Sequence, residues 1–273
     1  MIRIIAEIGW NHLGDMDLAK EMINAAMDSG ADCAKIQTFN VDNLKPGPWD
    51  KDGRRQIYEK AQLTLEQHKE LYNYCKKIGV GFMSSASNVN DAKLLAQVST
   101  QAIKIPSMES RNEKLIDFCA KTFDKVFMST GATDIEELDV VVDKFKEGQL
   151  VLFHCVSTYP CPVDKANLPR IAELKNRFEK KGVKQFGYSD HVEDILVAVA
   201  SLEYGVEFIE KHFTTNHDLP GRDNKFAILP EHLKALRYYM DTRELANLSK
   251  GVNHQDCESE VRSVYSGRWM KNE

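Results

Sequence analysis

Apolar and polar positions along this chain follow two periods in alternation. Short runs rich in Ile, Val, Phe and Ala are followed by longer stretches whose apolar residues recur at three- and four-residue spacing. The short runs predict strands at 2–8, 33–37, 81–84, 102–105, 126–129, 150–154, 185–188 and 206–210. The stretches between them predict helices. "LAKEMINAAMDSGAD" carries helical spacing and a Ser-Gly-Ala stop, and "TLEQHKELYNYCKKIG" opens on Thr64, a good N-cap, and ends in lysines before Gly79. "TDIEELDVVVDKFKEG" closes the same way, and 195–202 is a further helix-like run.

Eight strands, nearly all followed by a helix, predict a (β/α)8 TIM barrel over residues 1–250. A doubly wound open sheet needs a Gly-x-Gly-x-x-Gly turn near its start, which "EIGWNHLGD" does not supply. The longest loop, 40–63, is polar, contains "KPGPWDKDGRR", and is expected to shape a functional site.

Composition narrows the class without changing the picture. Hydrophobic residues make up 42% and charged residues 28% of 273, and the net charge of −5 gives no reason to expect a nucleic-acid or anionic-membrane partner. No run approaches a membrane span, the start reads as a first strand rather than a signal peptide, and the six scattered cysteines contain no C-x-x-C pair. A cytoplasmic protein with reduced, mostly buried thiols is the expectation.

In a TIM barrel the functional face lies at the carboxyl ends of the strands. Those ends read Glu7, Lys35 and Gln37, Ser84 and Ser85, Lys104, Ser129, His154, Asp190 and His191, then Glu210 and His212. Lys35 and Lys104 lie within apolar strands, where a charge needs a partner. They either ion-pair with Glu7 or Glu210 or capture an anion, most plausibly a phosphate, with Ser85, Ser107 and Ser129 adding hydroxyls. A Schiff-base lysine is a third reading.

His191 and His212 stand at matched ends of the seventh and eighth strands, so both can reach one divalent ion. His154 and Cys155 are rival ligands, though "LVLFHCV" places them deep in a strand. His68, His232 and His254 are read as surface residues of helices or tail.

At these residues the sequence resembles the sialic acid (N-acetylneuraminate) synthases, which join phosphoenolpyruvate to an N-acyl-hexosamine and release phosphate. The motifs are "AEIGWNHLGD", "AKIQTF", "IKIPSMES", "MSTGA", "HCVSTYP", "GYSDH" and "EKHFTTNHDLPGRD", in the family's order and covering about 2–245. The resemblance implies that His191 and His212 hold manganese or magnesium. It implies that Lys35, Ser85, Lys104, Ser107, Ser129 and Ser189 surround phosphoenolpyruvate, with Glu7 beside the reacting centre and Glu210 a further catalytic carboxylate. Gln37, Glu109, Tyr159 and Asp223 would contact the amino-sugar. Ser157 stands where the family often has asparagine, which alters a phosphoenolpyruvate contact.

Family members usually continue into a small antifreeze-like domain that lends an arginine to a partner's sugar site in a swapped homodimer. Here 251–273 is expected to be a short tail without that domain, and Arg54 and Arg55 in the long loop are the alternative source of positive charge. The acceptor is left open among N-acetylmannosamine, its 6-phosphate and a dideoxy-diacetamido hexose. Rival activities are a synthase acting on another aldose or aldose phosphate, a Schiff-base aldolase, and a homologue that binds phosphoenolpyruvate and metal with lost or partner-dependent turnover.

Overall fold

Eight parallel strands close on themselves in sequence order: β1 (Arg3–Gly9), β2 (Cys33–Thr38), β3 (Gly81–Ala86), β4 (Ala102–Ile105), β5 (Lys125–Ser129), β6 (Leu150–His154), β7 (Gln185–Asp190) and β8 (Phe208–His212). This computed structural model describes residues 2–270. Around the barrel run α1 (Met16–Asp28), α2 (Arg54–Ala61), α3 (Leu65–Ile78), α4 (Val89–Ala96), α5 (Glu113–Thr122), α6 (Leu138–Val142), α7 (Pro169–Phe178), α8 (Leu196–Ser201) and α9 (Pro230–Ala246). Start signals act where the sequence puts them: the Asp15 carboxylate caps α1, and Thr64 with Gln67 forms a capping box on α3, which ends at left-handed Gly79.

The period of two along each strand sorts the interior into layers. On β8, Phe208, Glu210 and His212 share the inner face and rise along the barrel axis, while Ile209 and Lys211 face the helices. The lowest inner layer is apolar: Ile5, Met83, Phe127, Val151, Phe153 and Phe208 pack together, with Phe208 edge-on to Phe127 at 5.1 Å. Each buried phenylalanine contributes about 2–3 kcal/mol. Gly187 makes the layer possible, because a Cβ there would lie 2.5 Å from the Phe153 ring. This plug closes one end of the barrel and leaves the other for chemistry.

On the outer side of β8 the buried Lys211 ammonium ties down the chain after β7. It donates to Asp190 at 3.0 Å, to the Val192 carbonyl, and to the Asp194 carbonyl at 2.7 Å, bracketing His191 on both sides. A buried ion pair with this many bonds is costly to break from one side.

Four readings of the sequence change. β7 and β8 run further than the apolar pattern, because Ser189 pairs with Glu210 and Asp190 with Lys211, so His212 is a strand residue and His191 lies just beyond β7. Segment 40–63 is not a plain loop: it holds short 3-10 turns at 41–43 and 48–50 and then α2, whose helix-forming "RRQIYEKA" is masked by the Gly and Pro residues before it. The third quoted helix shrinks to the single short helix α6, Leu138–Val142. His68 is not on the surface: it is fully buried in α3, 2.8 Å from the Thr38 hydroxyl and 2.7 Å from the Thr64 carbonyl. His232 and His254 are exposed as expected.

Residues 251–270 are exposed throughout and hold only short helical turns, and the last three residues of the expected tail lie outside the described residues. No described helix is long and apolar enough to cross a membrane.

Candidate active site

Above the aromatic plug the carboxyl ends of the strands open into a cavity of about 470 Å³. Its floor is a buried set of four charges. The Lys35 ammonium lies 2.6 Å from Glu7 and 3.7 Å from Glu210, and the Lys104 ammonium lies 3.2 Å from Glu210 and 3.8 Å from the centre of the Phe153 ring. The lysines therefore ion-pair with the glutamates, as one reading of the sequence expects, and also line the cavity.

The remaining carboxylate oxygens are occupied. Gln37 donates to Glu7 Oε1 at 2.8 Å, and the Ser189 hydroxyl donates to Glu210 Oε1 at 2.9 Å. Burial works against the Glu210 carboxylate, but Lys104 and Lys35 outweigh it and hold the group below the usual carboxylate range. Burial likewise opposes charge on Lys35, where Glu210 and Glu7 win and raise it; on Lys104 burial wins, helped by Lys35, and lowers it. A firmly protonated Lys35 is a poor Schiff-base nucleophile.

His191 and His212 stand one layer higher, with ring centres 5.6 Å apart. The Val156 carbonyl, 2.7 Å from His191 Nδ1, can only accept, which places the proton on Nδ1 and leaves the Nε2 lone pair free. His212 Nδ1 is buried without a hydrogen-bond partner and lies 3.7 Å from the Asp223 carboxylate. Burial first, and then His212, push the His191 imidazole down to about 3, so it is neutral across the physiological range. Two imidazoles with unused ring nitrogens are a donor set that fits a divalent ion. Among the described residues no third His, Cys, Asp or Glu completes a ready-made cluster with them.

Other expected site residues divide by position. Ser85, Ser107, Ser129, Tyr159 and Asp223 line the same cavity as the charged floor and the imidazoles. Glu109 does not: its carboxylate accepts from Asn112 at the start of α5, because the 3-10 turn at 107–109 carries it away from the opening. Ser157 also lies off the cavity lining and touches it through its hydrogen bond to the Ser107 hydroxyl at 3.0 Å and its side-chain contact with Tyr159. His154 has its Nε2 on the Ala166 carbonyl and its Nδ1 beside Arg170, and Cys155 packs 3.3 Å from Ser107, so neither reaches the imidazole pair. Of the two loop arginines, Arg54 lines the cavity and Arg55 is turned to Asp50 and Glu59.

Several residues at or beside the cavity carry no signal that spacing alone would raise. Phe226 packs against His212 at 5.0 Å and Tyr159 at 5.7 Å, while the Tyr159 ring sits 4.2 Å from His191. Trp10 donates its indole N–H to Asp223 at 2.6 Å, joining the first and last strand-end loops. Trp10 and Arg222 lie in quoted motifs and were findable there; Phe226 becomes visible only once the segment after β8 folds beside the opening.

Buried histidines beside the site give the fold a pH limit. Burial holds both His12 and His154 down to about 4. Their folded-state values lie below the unfolded one, so their contribution is complete above pH 6.5 and shrinks as pH falls towards 4, by about 1.4 kcal/mol per unit for each group. Asp91, raised by burial to about 6, opposes one of them over the same range. The net expectation is a loss of roughly 3 kcal/mol between pH 7 and 4. Urea midpoints at pH 7.5, 6 and 5 check this, and a flat series contradicts it.

This arrangement, a parallel barrel whose open end gathers two lysines, two glutamates and a pair of imidazoles, defines a (β/α)8 barrel protein with a small-molecule site at its C-terminal face. Residues 22–251 match the model of the NeuB family. The chain is 34% identical over 249 residues to the N,N'-diacetyllegionaminic acid synthase of Campylobacter jejuni, covering 85% of this chain and 73% of that protein. It is 32% identical to the pseudaminic acid synthase of the same organism, covering 98% and 82%. The crystal structure of N-acetylneuraminic acid synthetase from Leptospira borgpetersenii, in complex with citrate, superposes with a TM-score of 0.83 at 28% identity, over 97% of this chain and 93% of that one. The chain belongs to the NeuB family.

Proposed function

We propose that this protein condenses phosphoenolpyruvate with the aldehyde of an N-acyl-hexosamine, giving a nonulosonic acid and free phosphate. The observation that carries the reading is the stack of Lys35 and Lys104 beneath the His191–His212 pair in one closed-bottomed cavity. Relatives named as legionaminic, pseudaminic and neuraminic acid synthases support it.

His191 and His212 would hold a divalent ion, manganese or magnesium, which when bound supplies Lewis-acid polarisation of the sugar aldehyde. Lys35 and Lys104, with hydroxyls from Ser85, Ser107, Ser129 and Ser189, would receive the phosphate end of phosphoenolpyruvate. Held there, C3 of phosphoenolpyruvate faces the aldehyde carbon and forms the new C–C bond. Positive charge then develops at C2, where Glu7 supplies opposite charge from a position fixed by Gln37 and Lys35. Water adds to C2 and its oxygen stays there as the new carbonyl oxygen, one of its protons passing by way of the nearest carboxylate to the former aldehyde oxygen and the other leaving with the phosphate. Phosphate leaves with the former bridging oxygen, and the two ammonium groups stabilise it. Gln37, Tyr159 and Asp223 would contact the sugar; Glu109 and Ser157 would act through Asn112 and Ser107. A homodimer is part of the proposal.

The test is phosphate release from phosphoenolpyruvate with manganese, run with N-acetylmannosamine, its 6-phosphate and a dideoxy-diacetamido hexose. Release that depends on one of these sugars is the expected result. Calorimetric binding of phosphoenolpyruvate without release by any of them would leave a binding protein instead.

A further inference from the structure

His212 has a ring nitrogen without a partner. Its Nδ1 is buried and unbonded, among the rings of Phe226 at 5.0 Å, His191 at 5.6 Å and Tyr159 at 5.9 Å. The carboxylate beside it is Asp223, whose Oδ2 lies 3.7 Å away, about 1 Å beyond hydrogen-bond length.

That oxygen is held from the other side of the cavity. The Trp10 indole donates to Asp223 Oδ2 at 2.6 Å. The loop that carries the indole is pinned to the end of β8, because the Asn11 amide donates to the Phe213 carbonyl at 3.0 Å. Trp10 also belongs to an apolar wall: its ring packs on Tyr58 at 4.9 Å, and Tyr58 meets Phe39 edge-on at 5.9 Å. The residues on either side of Asp223 are tied down. Arg222 donates to the Tyr159 carbonyl at 2.7 Å, and Asn224 is bonded to the Thr214 hydroxyl at 2.6 Å and the Pro220 carbonyl at 2.9 Å. What remains free is the Asp223 side chain, whose torsions can close the gap to the imidazole.

An imidazole that ligates through Nε2 carries its proton on Nδ1, and in metal sites that N–H is given to a carboxylate, a carbonyl or water. For His191 the Val156 carbonyl fills this place. For His212 the nitrogen is sealed from bulk water, and Asp223 is the acceptor within reach. We propose that Asp223 is the outer partner that orients His212 for its cation, and that Trp10 is the residue that positions Asp223. This rests on the reading of His191 and His212 as metal ligands and extends it. Oδ2 serves both the indole and the imidazole, which leaves Oδ1 for the sugar contact proposed above.

The experiment titrates manganese alone, without phosphoenolpyruvate or sugar, into the full chain and reads the free ion by electron paramagnetic resonance. Asp223→Asn is expected to raise the manganese Kd by about 10- to 100-fold, the usual effect of losing an outer partner. Trp10→Phe keeps a ring against Tyr58 and removes the N–H, and is expected to raise Kd by about tenfold. The double variant should bind no more weakly than Asp223→Asn, because the indole acts through the carboxylate. Wild-type Kd in either single variant, or losses that multiply in the double one, overturns the proposal. A carboxylate that met only the sugar would leave this titration unmoved. Asp223→Ala replaces the asparagine variant should that one fail to fold. Manganese binding that ignores both substitutions leaves the metal reading of the histidines standing, whereas no binding by the wild-type chain removes that reading and this inference with it.

Discussion

Phosphate release is expected to drop by about 10³-fold or more in His191→Ala, the rate equivalent of losing several kcal/mol of Lewis-acid stabilisation. The imidazole has two roles that the variant removes together. Its Nδ1–H anchors on the Val156 carbonyl, and its Nε2 faces the same space as His212. The fold should survive, because the Asp190–Lys211 clamp that shapes this segment does not pass through the His191 side chain. The expected pattern is unchanged circular dichroism, weakened manganese binding by electron paramagnetic resonance, and turnover near background. Near-normal turnover in a folded variant would take the metal role away from His191.

Lys104→Met is expected to lower kcat/KM for phosphoenolpyruvate by about 10²- to 10³-fold, as when one charged donor to a developing anion is lost. Methionine keeps most of the length and the contact with Phe153 but none of the charge. Glu210 would then rely on Lys35 at 3.7 Å and on Ser189. The loss should appear for phosphoenolpyruvate and much less in the KM for the sugar, which lies above this layer. A wild-type KM and kcat would refute the phosphate role. Treatment with borohydride and pyruvate supplies the contrast: anion capture predicts no covalent inactivation, whereas trapping on Lys104 would move it to Schiff-base chemistry.

The barrel was legible because parallel strands buried on both faces read as short apolar runs, and the intervening stretches carry helical spacing and capping residues. The charged floor was legible for the same reason in reverse: a lysine inside "CAKIQTF" or "AIKIPSME" is conspicuous against its apolar neighbours. What spacing cannot convey is direction. Glu109 and Ser157 sit inside the family's motifs, yet a 3-10 turn and an exposed strand-end segment carry their side chains off the cavity lining. His68 looked like a surface residue because "TLEQHKELY" is mostly polar, but it falls on the one face of α3 that packs against Thr38. The apolar wall was hidden most completely, since Trp10, Phe39 and Tyr58 come from three separate segments and meet only when α2 forms.

Phe127, Phe153 and Phe208 seal the barrel directly beneath Lys104, so traffic has a single doorway. A ligand resting on the lysines is overlaid by whatever next occupies the space beside the imidazoles. Under the proposed assignment this imposes a queue: phosphoenolpyruvate must arrive before the sugar, and phosphate must wait until the nine-carbon acid has departed. Steady-state patterns should accordingly be sequential and ordered, with inorganic phosphate competing against phosphoenolpyruvate and the sugar acid giving mixed inhibition against both substrates.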